Sequence, residues 1–188
     1  RTTQDGIYSD WFSFNAGVPQ GSVLSPFLFL VFINDVETRV AGNARAAMFA
    51  DDIALIPVGL GKEGDEQMQR ALDALNAWAV EWRVTFNAKK SKMLCFTTER
   101  DFDSEKSTGE FKLAGAILGH VTQFDYLGVR WQQNGKWHAH FEKVAAAAEQ
   151  VANFISAMLS RNGPAPTIVR QLCNVLIRTK IVYGMPVW

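Results

Sequence analysis

At 188 residues, with 48% hydrophobic and 20% charged content, the chain has ordinary globular composition and is long enough for one or two domains with a buried core. Nineteen Lys and Arg balance nineteen Asp and Glu, a formal net charge of zero. That excludes a broadly basic, phosphate-neutralising surface, so a nucleic-acid face must be a local patch or lie on a missing portion or partner. No apolar run reaches the roughly 18–20 residues of a membrane span; Phe27–Ile33 is too short and Asn34-Asp35 ends it, and no secretory signal is visible, so no membrane partner is expected. Cys95 and Cys173 lie far apart without metal-ligand spacing and read as buried free thiols in a reducing compartment.

Taken in order, residues 1–14 are polar around Gly6-Ile7-Tyr8 and predict an edge hairpin, with Asp5 and Asp10 as turn residues and Ile7, Phe12 and Phe14 free to pack. Gly17-Val18-Pro19-Gln20-Gly21-Ser22 follows, where Gly17 and Gly21 permit close backbone approach or unusual torsions. Ser25-Pro26 is a helix-start signal, with Ser as cap and Pro in the first turn. The helix should run from Pro26 to about Thr38, and its apolar residues Phe27–Ile33 predict deep packing. Gly42-Asn43 is a turn; residues 46–50 and 53–58 read as strands flanking Asp51-Asp52.

A helix should open at Asp65 and Glu66, acids at the positive end of its dipole. Met68, Leu72, Leu75, Ala79 and Trp82, widened by Trp78, form an apolar stripe that should pack on the back of the sheet carrying Asp51. A basic turn, Asn87-Ala88-Lys89-Lys90-Ser91-Lys92, precedes a predicted strand over 93–97; residues 99–110 read as a polar loop. Residues 111–118 and 121–131 alternate as strands, and Asn134-Gly135 is a hairpin-turn signal. His138 and His140 lie near it with no third ligand in view, so a metal site there is not expected. From Ala139 the period becomes helical, with Phe141, Val144, Ala148, Val151, Ile155 and Leu159 on one face. Gly163-Pro164-Ala165-Pro166 separates it from a second helix, with Thr167 as cap and a stripe of Ile168, Leu172, Val175, Thr179 and Val182.

The chemistry centres on Phe49-Ala50-Asp51-Asp52. Two adjacent carboxylates in an apolar run are very costly to bury unless a cation compensates them. Mg²⁺, a hard cation that prefers carboxylate and phosphate oxygens, is the natural compensator. Successive strand side chains point to opposite faces, so both Asp reach one site only across a turn. One would then bind metal directly and the other share or support it, the layout needed for two-metal phosphoryl transfer. A solvated hairpin turn that happens to contain Asp-Asp is the alternative that the tetrapeptide alone leaves open.

Phe49-Ala50-Asp51-Asp52 together with Gly17-Val18-Pro19-Gln20-Gly21-Ser22-Val23-Leu24-Ser25-Pro26 resembles the reverse transcriptases of non-LTR (LINE-type) retrotransposons and their group II intron relatives. The upstream stretch is similar to the family's motif B and Phe-Ala-Asp-Asp to motif C. Asn87, Lys90 and Ser91 are similar to the end of motif D, Phe124–Val129 resembles motif E, and the terminal Tyr183-Gly184-Met185-Pro186-Val187-Trp188 resembles the segment that follows the thumb. The resemblance implies an α+β fold: a right-hand polymerase palm, an antiparallel sheet with packed helices, over residues 1–132, then a helical thumb over 133–188. It implies that Asp51 and Asp52 are catalytic metal ligands for two Mg²⁺ ions, and that Pro19, Gln20 and Gly21 lie against the incoming nucleotide and template. Lys90 would protonate or electrostatically support departing pyrophosphate, though a solvated basic turn accounts for the same lysines. Tyr126, Leu127 and Gly128 would form the primer grip, with an ordinary strand as the plain alternative. Arg161, Arg170, Arg178 and Lys180 could face a template-primer duplex or simply be solvated.

The family's fingers and its motif A aspartate are expected to be absent, since motif A should precede Gly17 by several tens of residues and neither Asp5 nor Asp10 has the character of a buried strand residue. Two readings follow. In the first, the chain is the palm and thumb part of an RNA-directed DNA polymerase, acting on an RNA and DNA template-primer and completed by an upstream segment or second polypeptide carrying fingers and motif A. In the second, it is a retroelement-derived, catalytically inactive RNA- or protein-binding subunit of a larger ribonucleoprotein. Intact Asp51, Asp52, Gln20 and Lys90 favour the first; zero net charge and the missing motif A favour the second for the isolated chain, which is expected not to polymerise by itself.

Overall fold

Alternating apolar residues on either side of Ala50-Asp51 build an antiparallel hairpin, and one long helix behind it organises the N-terminal part of the chain. The computed structural model describes residues 3–11, 13, 17–97, 110–159 and 163–187. In order its elements are β1 (Thr3–Gln4), β2 (Ile7–Tyr8), α1 (Ser25–Ile33), α2 (Val36–Val40), β3 (Ala44–Phe49), β4 (Asp52–Pro57), α3 (Gly61–Glu81), β5 (Lys92–Met93), β6 (Lys112–Leu113), β7 (Ala116–Ile117), β8 (Gly119–His120), β9 (Gln123–Tyr126), β10 (Val129–Gln132), α4 (His138–Met158), α5 (Pro166–Leu172), a π-helical stretch Cys173–Arg178, and α6 (Thr179–Val182). They fall into two compact units, Arg1–Phe86 with Phe111–Gly115, and Asn87–Glu110 with Ala116–Trp188. No helix among the described residues is long and apolar enough to cross a membrane.

In the first unit the β3–β4 register pairs Ala44 with Pro57, Ala46 with Leu55 and Met48 with Ile53 on one face, and Arg45 with Ile56, Ala47 with Ala54 and Phe49 with Asp52 on the other. The first face is largely covered and the second largely exposed. Helix α3 packs against both strands, as its stripe predicts, and buries Ala71, Leu72, Leu75, Trp78 and Ala79. It starts at Gly61 rather than Asp65. Gly61 turns the chain into the helix with a φ of 59°, and the Gly59 N–H donates to Gln67 Oε1 at 2.6 Å, tying down the first turn from within. Lys112 of β6 is docked on α3 by a reciprocal pair with Gln69 at 2.9 and 3.1 Å, and Phe111 and Leu113 are buried.

The single helix expected from Pro26 to Thr38 is two helices. Asp35, at the break, accepts a 2.7 Å hydrogen bond from the Trp78 indole N–H. Ser25 does not cap: Leu24 is the N-cap residue, and Ser25 Oγ donates back to the Pro19 carbonyl at 2.5 Å. Nor is α1 deeply packed. Phe32 meets Trp78 and Trp82 with ring centroids 5.5 and 5.4 Å away, and Ile33 is buried, but Phe27, Leu30 and Val31 are 64%, 56% and 61% exposed. The N-terminal hairpin forms over Thr3–Tyr8 with Asp5 in its turn, but Ile7 is exposed instead of packed; Phe12 and Phe14 lie outside the described residues.

In the second unit β9 and β10 form a hairpin closed by Leu127-Gly128. Asn134-Gly135 is a turn, as predicted, but it leads into α4 instead of a second strand; Asn134 Oδ1 accepts from the Lys136 N–H at 3.0 Å, and Gln132 Oε1 accepts from the Ala139 N–H at 3.0 Å in the first turn of α4. The strand expected over 93–97 is only β5, parallel to β8, and beyond it the Thr97 N–H bonds the Gln133 carbonyl. The strand expected over 111–118 is broken by Ala114 and Gly115, whose φ values are 51° and 78°. Of the α4 stripe, Ile155 is buried while Phe141 and Leu159 are exposed. Thr167 is not a cap either: Ala165 holds that position and Pro166 opens α5. Cys95 and Cys173 are free thiols, half-buried instead of buried. The loop over 99–109, Arg161 and Trp188 lie outside the described residues.

Candidate active site

Asp51 and Asp52 sit at the tip of the β3–β4 hairpin. The strands close with Phe49 opposite Asp52, leaving Ala50 and Asp51 as a two-residue turn. Ala50 takes a left-handed φ of 51°, a conformation that costs an alanine about 1–2 kcal/mol. Through this turn Asp51 occupies the apex while Asp52 begins β4 on the exposed face shared with Phe49, so the two carboxylates are neighbours without being forced to opposite faces. Both are exposed, and neither carboxylate makes an ion pair or hydrogen bond among the described residues. Two adjacent uncompensated carboxylates form a hard-oxygen donor pair and fit Mg²⁺ as partial ligands. No group of three or more His, Cys, Asp or Glu that could hold a metal occurs among the described residues.

Pro19, Gln20 and Gly21 form a tight turn in the same unit. The Ser22 N–H donates to the Pro19 carbonyl at 3.3 Å, and Gly21 takes a φ of 85°, which a type II turn demands at this position. The Ser25 hydroxyl grips the same carbonyl from the first residue of α1, which leaves Gln20 exposed at the corner. Read from the sequence as a cap, Ser25 proves to be the residue that ties this loop to the helix.

Lys90, Tyr126, Leu127 and Gly128 belong to the second unit. Asn87 organises the basic turn: its carbonyl accepts from the N–H groups of Lys90 and Ser91 and from Ser91 Oγ, all at 3.0 Å, and its Oδ1 accepts from the Lys90 N–H at 3.2 Å. The Lys90 side chain is exposed on that turn. At the β9–β10 corner Leu127 and Gly128 both take left-handed φ values, 48° and 81°, the signature of a type I′ hairpin turn.

That corner is held from outside. Tyr183 donates its hydroxyl to the Leu127 carbonyl at 2.8 Å, and Lys143 Nζ donates to the Gly128 carbonyl at 3.0 Å. Asp125 receives a forked pair from Arg130 at 2.9 and 3.0 Å and faces Lys143 at 3.2 Å. The Arg130 hydrogen bonds, helped by Lys143 and opposed by partial burial, hold the Asp125 carboxyl below its ordinary range. His140, 1% exposed, accepts the Arg130 backbone N–H on Nδ1 at 3.2 Å. Burial, reinforced by Lys143, pushes its titration below the usual histidine value. His138 is exposed and faces Glu142 at 3.3 Å. Tyr183 and Lys143 were not legible as neighbours of the Leu127-Gly128 turn, because nothing in the sequence pairs residues so far apart. Arg170, Arg178 and Lys180 are all exposed.

Residues 4–131 match the family model described as reverse transcriptase (RNA-dependent DNA polymerase). Among curated proteins, the chain is 35% identical over 134 residues to the RNA-directed DNA polymerase from mobile element jockey of Drosophila funebris, covering 68% of this chain and 14% of that protein. It is 29% identical over 181 residues to the probable RNA-directed DNA polymerase from transposon BS of Drosophila melanogaster, covering 92% of this chain and 20% of the relative. It is 27% identical over 192 residues to the jockey polymerase of Drosophila melanogaster, covering 98% and 20%. The chain thus spans a fifth or less of the length of these relatives. No solved structure matches it.

Proposed function

The chain belongs to the reverse transcriptase (RNA-dependent DNA polymerase) family and is of the LINE type, and from that premise we propose that it is the palm and thumb part of an RNA-directed DNA polymerase, with palm over 1–132 and thumb over 133–188. The observation that carries this reading is the placement of Asp51 and Asp52, neither of them paired with a cation among the described residues, across the tip of an antiparallel hairpin backed by α3. In this reading Asp51, Asp52 and a further aspartate from an upstream segment or second polypeptide hold two Mg²⁺ ions, whose charge would favour the ionised primer 3′-hydroxyl and offset the charge developing at the α-phosphate of the incoming nucleotide.

The remaining residues bind and orient. The Pro19-Gln20-Gly21 turn offers an exposed Gln20 and an open backbone at Gly21 to the nucleotide and template base. Lys90, raised on the Asn87 turn, stands ready to balance charge on departing pyrophosphate. Tyr126, Leu127 and Gly128 hold the primer terminus. Template and primer are RNA and DNA, and fingers and motif A are supplied outside these residues. The formal net charge of zero suits a second reading, a catalytically silent subunit of a ribonucleoprotein.

Primer extension by the full-length protein on a primed RNA template separates the two. Asp51→Asn and Asp52→Asn should each lower incorporation by at least about a hundredfold, the scale on which electrostatic groups at a reacting centre act, with duplex binding changed less than about threefold. Equal extension by wild type and both variants would sink the polymerase reading; RNA binding with no extension by wild type would favour the second.

A further inference from the structure

The Leu127-Gly128 turn is secured in a way that the family motif does not account for. A type I′ turn leaves the carbonyls of its two central residues outside the strand ladder, and here both are taken: Leu127 by Tyr183 Oη at 2.8 Å and Gly128 by Lys143 Nζ at 3.0 Å. Tyr183 lies 56 residues along the chain from Leu127, beyond α6, and Lys143 is on α4. The Tyr183 ring also occupies the space where a side chain on Gly128 would stand, since a Cβ built there would meet Tyr183 Cε1 at 2.9 Å. Gly128 is therefore required twice, for its φ of 81° and for the approach of this ring. The hydroxyl and ring of Tyr183 and the ammonium of Lys143 converge on two residues from two separate segments. With both carbonyls engaged, the turn's remaining polar groups are its N–H donors, which suit a phosphodiester oxygen.

We propose that Tyr183 is a positioning residue for the primer terminus: it locks the Leu127-Gly128 turn so that the turn's amides meet the primer backbone, and Lys143 completes the lock. This rests on the polymerase reading above. It makes the C-terminal Tyr183-Gly184 segment part of the primer-binding apparatus, so that changes in that segment are felt at the β9–β10 corner.

The test is amide hydrogen exchange on the full-length protein, with and without a primed RNA–DNA duplex, alongside single-turnover primer extension. In the wild type the duplex should slow exchange at Leu127–Val129. Tyr183→Phe, which keeps the ring and removes only the hydroxyl, should speed duplex-free exchange there and reduce the duplex-dependent protection about three- to tenfold, the scale of one lost hydrogen bond. The incorporation rate constant should fall by a similar factor while the nucleotide KM stays unchanged. Lys143→Met, which keeps the aliphatic stem, should give the same pattern. Wild-type extension without protection of 127–129, or Tyr183→Phe protection equal to wild type, would overturn the proposal and leave the polymerase reading standing. Protection that is lost in Tyr183→Phe without any wild-type extension would support the lock and count against the polymerase reading.

Discussion

Trp78 is the residue on which the first unit turns, and its removal gives the sharpest test of how the hairpin is held. The side chain is 1% exposed. Its ring lies 5.5 Å from Phe32, 6.4 Å from Trp82 and 6.2 Å from Phe86, centroid to centroid, so α1, α3 and the chain beyond α3 share one aromatic cluster. Its indole N–H meets Asp35 Oδ1 at 2.7 Å, at the break between α1 and α2. Trp78→Ala removes the ring and strands the Asp35 carboxylate. The cavity and transfer loss for a buried Trp is about 3–5 kcal/mol, and a stranded partner to a charged hydrogen bond adds about 1–3 kcal/mol, less where water reaches it. With Asp35 half-buried and its share at the low end, the expected loss is about 4–6 kcal/mol, a large part of the stability of an ordinary domain. Trp78→Phe keeps most of the ring contact and loses the donor, so it should cost about 2 kcal/mol. Asp35→Leu in the Trp78→Phe background should then recover part of that loss, because both polar partners are gone. Urea unfolding followed by far-UV circular dichroism measures all of these. If Trp78→Ala costs less than about 2 kcal/mol, the cluster is not the organising core and the reasoning fails.

Gly64 is buried, and a Cβ there would meet the Gly59 carbonyl oxygen at 2.5 Å and its carbon at 2.9 Å, so Gly64→Ala must displace backbone and should cost about 1–3 kcal/mol by thermal melting; an unchanged melting temperature would contradict that contact. His140 titrates below its ordinary value of 6.5 in the folded chain. Between the two values the unfolded state binds the extra proton, so stability is fully present above pH 6.5 and is lost as pH falls toward the folded value. The groups facing it are Lys143, Asp125 and Arg130; a urea midpoint that does not drop between pH 7.5 and 5.5, or that drops equally in His140→Gln, would refute the assignment. The chain of 188 residues alone should not polymerise, and steady nucleotide incorporation by it on a primed RNA template would show that no further aspartate is needed.

Local signals in the sequence were reliable where the physics is local. The Asp51-Asp52 turn, the buried stripe from Leu72 to Ala79 and the special torsion at Gly21 each follow from neighbours a few residues away, whereas the strand expected over 121–131 is a hairpin that turns at Leu127 and Gly128. Failures occurred where the deciding partner is remote or where two local signals compete. Hydrophobicity alone made α1 a core helix, yet Phe27, Leu30 and Val31 are exposed, because apolar character says nothing about which neighbour is present to cover it. Ser25 looked like a cap, but the nearby Pro19 carbonyl competes for its hydroxyl. Helix α3 starts at Gly61, ahead of the acidic pair Asp65-Glu66, because the Gly61 torsion and the Gln67 side chain set its first turn. The π-helical stretch Cys173–Arg178 was not foreseen, since one widened turn barely perturbs a 3.6-residue stripe.

The placement of the two carboxylates is set from behind. A two-stranded hairpin is marginal in water by itself, and among the described residues β3 and β4 pair only with each other. Ala46, Met48, Ile53 and Leu55 face inward, whereas Arg45, Ala47, Phe49, Ala54 and Ile56 share the opposite face with Asp52. What fixes the hairpin is therefore α3, whose own position depends on the Trp78 cluster and on the Gln67 bond to Gly59 just after β4. The strained Ala50 torsion can persist only while that backing over-determines the strands. It follows that substitutions on the inward face should disturb the geometry of Asp51 and Asp52 without touching either residue, while substitutions at Ala47 or Ala54 should leave that geometry intact and act only on what meets the outer face.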